Sequence, residues 1–204
     1  MALMSQKTFG KMSNLIEKID AVLPQTQCRQ CGYENCRSYA WAIAIDGAPI
    51  NRCAPGGQKG IARLAEVTGQ KEIALDPEYG HEMPQEVSHI KPDLCIGCRK
   101  CVAVCPTNAI VGAPKRLHAV MTEWCTGCAL CVIPCPVDCI EMVPAPFEWT
   151  PERAASAKAH YLAKQKRDKE RSLDREKRLN AQTATAKKKA LLDSILAQVK
   201  QSNP

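Results

Sequence analysis

The stretch Cys95-Ile96-Gly97-Cys98-Arg99-Lys100-Cys101-Val102-Ala103-Val104-Cys105-Pro106 returns thirty residues later as Cys125-Thr126-Gly127-Cys128-Ala129-Leu130-Cys131-Val132-Ile133-Pro134-Cys135-Pro136. Three thiolates on one short loop can grip three corners of an iron-sulfur cube, while the cysteine before the proline is carried away by a helical turn and reaches a second cube. The repeat is therefore a frame for two 4Fe-4S clusters, and its halves must fold together. A pair of zinc ribbons is the competing reading. Zinc sites use paired cysteines with a long gap between pairs, and a third cysteine, repeated with its proline, departs from that spacing.

Under the crossed ligation of two-cluster ferredoxins, one cluster is expected on Cys95, Cys98, Cys101 and Cys135, and the other on Cys125, Cys128, Cys131 and Cys105. Short strands are expected near 87–90, 110–111, 117–121 and 140–143, flanking the cluster loops. Two such halves make a pseudo-twofold βαββαβ ferredoxin module over residues 87–146. Gly97 and Gly127 would let the backbone close around each cube, and Pro144 and Pro146 end the module.

Upstream, residues 12–69 predict a small helical module and 70–86 a linker. Leu15, Ile16, Ile19, Val22 and Leu23 share one face of a helix over 13–23, with Asn14 and Glu17 spaced as a capping box and Pro24 ending it. Further helices are expected over 37–46 and 58–67, the latter stopped by Gly69. Between them lie Cys28, Cys31, Cys36 and Cys53, enough for a third cube. Spacing alone leaves zinc open here, because Cys28 and Cys31 are also compatible with a zinc knuckle.

Downstream, residues 147–204 shift to Ala, Lys, Arg, Glu and Gln, which favour helix and offer little to bury. They predict a helical or disordered basic tail. Leu191, Leu192, Ile195, Leu196 and Val199 form a short apolar stripe near its end, readable as a docking face or as ordinary helix patterning. The expected class is α+β.

Composition agrees with a metal-held head. Aromatic residues are only 4% of the 204, so ligand bonds are expected to supply much of the folding energy. Thirteen cysteines could mean a secreted disulfide scaffold, but the first residues lack a basic segment, apolar stretch and small-residue cleavage site. A reducing cytoplasm is the expected location. The longest apolar run, 40–45, is far shorter than a bilayer span. Residues 151–204 hold 14 Lys and Arg against 6 Asp and Glu, so they carry +8 and the preceding residues −1, for the formal total of +7. Three oxidised clusters with their thiolates would add about −6 to the head and leave a strongly dipolar molecule.

Other residues read more plainly. Cys139 aligns with Ala109 and is expected at a small buried position. His81, His89, His118 and His160 are not needed as ligands. Trp41, Trp124 and Trp149 are expected to pack near clusters. The tail's interleaved acids and lack of aromatics argue against nucleic acid as partner. No Gly-rich nucleotide loop or Ser-His-Asp set appears, so no flavin, nicotinamide or hydrolytic site is expected.

Leu23-Pro24-Gln25, Cys28-Arg29-Gln30-Cys31-Gly32-Tyr33, Cys36, Tyr39-Ala40 and Ile50-Asn51-Arg52-Cys53-Ala54-Pro55-Gly56-Gly57 resemble the cluster module of the B component of the Rnf/Rsx electron transport complex. So do Ala109-Ile110-Val111-Gly112-Ala113, Leu117-His118, Cys125-Thr126-Gly127-Cys128 and Asp138-Cys139-Ile140-Glu141-Met142, and the likeness covers about residues 12–147. The resemblance implies three 4Fe-4S clusters on the twelve cysteines, single-electron transfer between donor and acceptor redox proteins, and other Rnf/Rsx subunits as partners on the cytoplasmic face of the inner membrane. Two features depart from the family: its members usually begin with an apolar anchor, and the basic tail has no counterpart. A soluble ferredoxin independent of a membrane complex, and a regulatory iron-sulfur protein using its tail on nucleic acid, are the alternative readings.

Overall fold

The computed structural model describes residues 6–201 and is α+β. It divides into two compact units, residues 1–161 and 162–204.

Helix α1 (Gln6–Val22) opens the first unit. It begins earlier than expected, so Asn14 and Glu17 lie inside the helix and form no capping box. Glu17 instead takes an ion pair from Arg37 Nη2 at 2.6 Å. Helix α2 (Cys36–Trp41) is capped by Asn35, whose Oδ1 accepts from the Ser38 amide at 2.8 Å, satisfying one of the orphan donors of its first turn. It runs into a wider π-type turn, Ala42–Asp46, which ends at Gly47 in the left-handed region. Helix α3 (Gly57–Thr68) stops at Gly69, φ 71°, where the missing Cβ removes the left-handed penalty. Ile19, Tyr39, Ile43, Ile61 and Leu64 from these elements and Leu23 and Ile50 from the loops between them form one buried core, which includes Cys31 and Cys53.

The segment 70–85 is strapped to this helical module. Asn51 Nδ2 donates to the Ala74 carbonyl at 2.9 Å, the Asp76 amide to the Asn51 carbonyl at 3.0 Å, and Arg52 sits over the Tyr79 ring. Expected as a linker, it is held by side chains the periodicity does not mark.

Strands β1 (Glu86–Ile90) and β4 (Ile140–Pro144) pair antiparallel, as do β2 (Ile110–Val111) and β3 (Ala119–Val120). The first and last strands of the segment therefore lie side by side. A short helix, α4 (Lys100–Val104), follows the first cluster loop. Backbone conformation repeats at the thirty-residue interval: Gly97 and Gly127, Arg99 and Ala129, and Asn108 and Asp138 all have positive φ. At Gly97 a Cβ would stand 2.5 Å from the Arg116 amide nitrogen, and at Gly127 2.5 Å from the Glu86 carbonyl oxygen. Each loop can approach the neighbouring backbone that closely only without a side chain.

Helix α5 (Pro151–Gln201) is helical throughout its described length. Its first residues belong to the first unit, which extends beyond the tail boundary expected at residue 147. Trp149 Nε1 donates to the Pro24 carbonyl at 2.9 Å, the His160 ring lies 4.3 Å from that of Trp124, and Ala154 and Ala157 are buried. Trp41, expected to pack, is half exposed. From Leu162 onward the described side chains are almost all exposed, with Lys164–Asp168 and Asp174–Arg178 pairs along one helix. Of the apolar stripe, Leu191 and Leu192 are exposed; the side chains of Ile195, Leu196 and Val199 lie outside those described.

Candidate iron-sulfur sites

Two cavities in residues 87–146 collect the repeated cysteines. Cys95, Cys98, Cys101 and Cys135 line the first, with Ile90, His118, Cys139 and Ile140. Cys105, Cys125, Cys128 and Cys131 line the second, with Ser88, Thr107, Thr126 and Met142. Each cavity thus takes three thiols from one loop and a fourth from the other half. The reason is local: α4 runs Cys105 away from its own loop, and the corresponding turns carry Cys135 away from Cys131. Among the described residues no three metal-ligating side chains stand ready around a single ion.

The sulfurs are supplied with hydrogen-bond donors. The Ala109 amide lies 3.2 Å from Cys105 Sγ, and the Ser88 amide and hydroxyl lie 3.4 and 3.5 Å from Cys125 Sγ. In the first cavity His118 Nδ1 stands 3.7 Å from Cys95 Sγ, and Cys139 Sγ 3.4 Å from Cys135 Sγ. Cys139 is buried, as its alignment with Ala109 predicts. Its contact with a candidate ligand had no signal beyond its spacing of four from Cys135. Neither His118 nor Ser88 carries a sequence signal as a sulfur neighbour, because the contacts join the turn before β3 and strand β1 to loops 23 and 37 residues away.

Burial makes these thiols reluctant to ionise alone. It pushes Cys128 up to about 12 and Cys131 up to about 11, against hydrogen bonds from the Leu130 amide to the first and from Ser88 to the second. At Cys135 burial also acts upward, but donors from the Val137 and Cys139 amides and the Cys139 thiol outweigh it, and the net shift is downward. Burial, then Cys135 itself, pushes Cys139 up to about 12. A buried thiolate needs compensating positive charge. Two sets of four sulfurs, with amide donors and a hydroxyl, a thiol and an imidazole nitrogen beside them, fit iron-sulfur cubes, whose iron supplies that charge.

Cys28, Cys31, Cys36 and Cys53 gather at the end of the helical core. Burial pushes Cys36 up to about 12, and the charges of Cys28 and Cys31 add to it; Cys53 is raised by burial and then by Cys36, Cys28 and Cys31. The loop that brings them together has left-handed backbone at Gln25, Gln27 and Arg29, which costs about 1–2 kcal/mol per non-glycine residue. Buried amide side chains offset this: Gln25 Nε2 donates to Asp20 Oδ1 at 3.0 Å, Gln27 Nε2 to Gln25 Oε1 at 2.8 Å, and the Cys36 amide to Gln27 Oε1 at 3.0 Å. Asp20 is in turn ion-paired to Lys158. The two modules meet beside their cysteines, where Thr126 Oγ1 donates to the Thr26 carbonyl at 2.9 Å.

Comparison with known proteins places these features in a family context. A family described as "4Fe-4S dicluster domain" matches residues 88–142, and one described as "Putative Fe-S cluster" matches residues 23–55. The chain is 55% identical over 130 residues to the B component of the ion-translocating oxidoreductase complex of Azoarcus sp. (strain BH72), covering 64% of this chain and 71% of that protein. It is 55% identical over 132 residues to the protein of the same name from Hahella chejuensis, covering 65% and 66%. With that of Yersinia pestis it shares 51% over 131 residues, covering 64% and 70%. The chain spans about two thirds of the length of these relatives.

Proposed function

Since the chain belongs to the family of B components of the ion-translocating oxidoreductase (Rnf/Rsx) complex, we propose that its twelve motif cysteines hold three 4Fe-4S clusters that together form an electron relay. An iron-sulfur electron-transfer role follows from the family and from both iron-sulfur matches, which favour it over a nucleic-acid role for the tail. The observation that carries the finer assignment is the crossed lining of two cavities, Cys95, Cys98, Cys101 and Cys135 in one and Cys105, Cys125, Cys128 and Cys131 in the other.

The repeated positive-φ residues and the pairing of the first strand with the last support a pseudo-twofold two-cluster ferredoxin module over 87–146. Cys28, Cys31, Cys36 and Cys53 hold the third cluster in the helical module. Each bound cluster supplies a one-electron redox couple. The chain's own residues bind the sulfide-bridged iron through sulfur, exclude water from it, and direct hydrogen bonds at its ligands. The Thr126–Thr26 contact joins the two modules through the residue after Cys125 and the residue two before Cys28.

Exchange with a redox partner is best served at Cys98, the one motif cysteine that is exposed. Leu94 and Ile96 beside it are exposed and apolar, and Arg99, Lys100, Lys115 and Arg116 are exposed nearby. This combination suits an acidic partner, with charge steering the encounter and apolar contact closing it. Other subunits of the family's complex are the partners we infer. Among the described residues no helix is long and apolar enough to cross a membrane, and peripheral attachment through those subunits accounts for a place at the membrane.

Anaerobically purified protein should contain about twelve iron and twelve sulfide per chain. A redox titration followed by electron paramagnetic resonance should show three reducible 4Fe-4S centres, two of them magnetically coupled. About eight iron with one zinc would reduce the helical module to a structural role.

A further inference from the structure

We propose that Cys139 and His118 set the reduction potential of the cluster in the first cavity, each donating a hydrogen bond to one of its ligand sulfurs, independently of the cluster in the second. The inference rests on the ligand assignment proposed above and concerns which side chains distinguish the two sites.

The distinction is visible in the repeat. Thirty residues before Cys139 stands Ala109, and thirty before His118 stands Ser88. Ser88 and His118 play matching crossed roles, Ser88 at Cys125 Sγ and His118 at Cys95 Sγ. At the fourth cysteines the match ends. Ala109 offers Cys105 its backbone amide, at 3.2 Å, and the Thr107 hydroxyl 3.9 Å from Cys105 Sγ donates its hydrogen to the Trp124 carbonyl at 2.8 Å instead, whereas Cys139 adds a thiol 3.4 Å from Cys135 Sγ.

The direction of these contacts follows from the ligand chemistry. An iron-bound thiolate carries lone pairs and no proton, so the hydrogen between the two sulfurs belongs to Cys139, and the one facing Cys95 belongs to Nδ1 of His118. His118 is only 2% exposed, and among the described residues its Nε2 has no hydrogen-bond partner. Leaving a buried nitrogen unpaired costs about 1–3 kcal/mol, so the ring has no other polar contact to explain its place. It is also fixed in position. A Cβ on Gly112 would lie 2.3 Å from His118 Cδ2, so the backbone presses against the ring where only glycine fits.

Donation to a ligand sulfur draws off negative charge. The reduced cluster carries one more negative charge than the oxidised one and gains more from each donor, so the potential rises. Two side-chain donors of different chemistry converge on the first cavity, on sulfurs from opposite halves of the repeat.

The test is a redox titration of intact, anaerobically loaded protein, monitored by electron paramagnetic resonance with iron and sulfide measured on every sample. Cys139→Ala, which installs the residue of the other half, and His118→Phe, which keeps a ring without a donor, should each lower the midpoint of the same single cluster. Ser88→Ala should lower a different one. Cys139→Ser retains a donor and should stay near the parent. Fully loaded Cys139→Ala and His118→Phe proteins with unmoved midpoints, or with shifts in different clusters, overturn the inference alone. Loss of iron from both variants while Ser88→Ala stays loaded makes them structural supports and also overturns it. A parent without 4Fe-4S signals overturns the ligand assignment and this inference together.

Discussion

Lys158, on the third turn of α5, forms an ion pair with Asp20 of α1, a carboxylate wholly buried in the helical module. From Asp20 the contact continues through the Gln25 and Gln27 amides to the backbone amide of Cys36. The opening turns of the basic helix thus brace the loop that carries three of the four helical-module cysteines.

Lys158→Ala should destabilise the protein by about 1–3 kcal/mol, because it strands a buried carboxylate, although partial exposure of the lysine lets water offset some of the loss. Thermal unfolding of the loaded protein should begin at lower temperature. Iron released early should amount to about a third of the total, that of the helical module.

Single ligand removals should respect the crossed pattern. Cys135→Ala should abolish the cluster otherwise held by Cys95, Cys98 and Cys101, and Cys105→Ala the one held by Cys125, Cys128 and Cys131. Each should lower the iron count by about four. Double variants separate the crossed pattern from an uncrossed one: Cys135→Ala with Cys101→Ala should cost no more iron than the single change, whereas Cys135→Ala with Cys131→Ala should cost about eight.

Gly97→Ala and Gly127→Ala place a methyl group 2.5 Å from backbone atoms and hold a non-glycine residue at φ 69° and 71°. The conformational part alone costs about 1–2 kcal/mol, and the contact adds to it. Both variants should lose cluster more readily on air exposure than the parent, read as bleaching of the visible absorption.

Cutting the chain after Tyr161 removes helix whose described side chains are almost all exposed, and should leave iron content and unfolding temperature nearly unchanged. Cutting before Trp149 removes its hydrogen bond to Pro24 and the Lys158–Asp20 pair together, and should release the helical-module iron. Equal behaviour of the two truncations would contradict the bracing described above.

Electron exchange with an acidic redox protein should slow as salt rises, because exposed charges are screened over about 10 Å at 0.1 M. Replacing Lys100 and Arg116 with Gln should slow exchange at low salt and flatten that dependence, measured by stopped-flow absorbance.

The repeat at 95–106 and 125–136 was legible because its information is local: cysteine spacing, the proline after the fourth thiol, and a glycine inside each loop. The strands flanking those loops and the helices near 13–23, 37–46 and 58–67 were legible for the same reason, apolar periodicity bounded by proline or glycine. Helix α1 extends further back because nothing in residues 6–12 breaks a helix strongly enough to start it at Ser13. The strap at 70–85 was illegible. Its order comes from Asn51, Arg52 and Gln58, which carry no periodic signal.

What the amino-acid order determined by itself is the set of candidate sulfurs and the elements that carry them, since each depends on neighbours within a few turns of chain. What only tertiary structure decided is the surroundings of those sulfurs: strand β1, which brings Ser88 to Cys125, the turn into β3, which brings His118 to Cys95, the Thr126–Thr26 contact between modules, and the docking of α5 through Trp149 and Lys158. These contacts join residues 23 to 138 positions apart. Folding selects them by burying polar groups against one another, and a preference of that kind leaves no mark on local spacing.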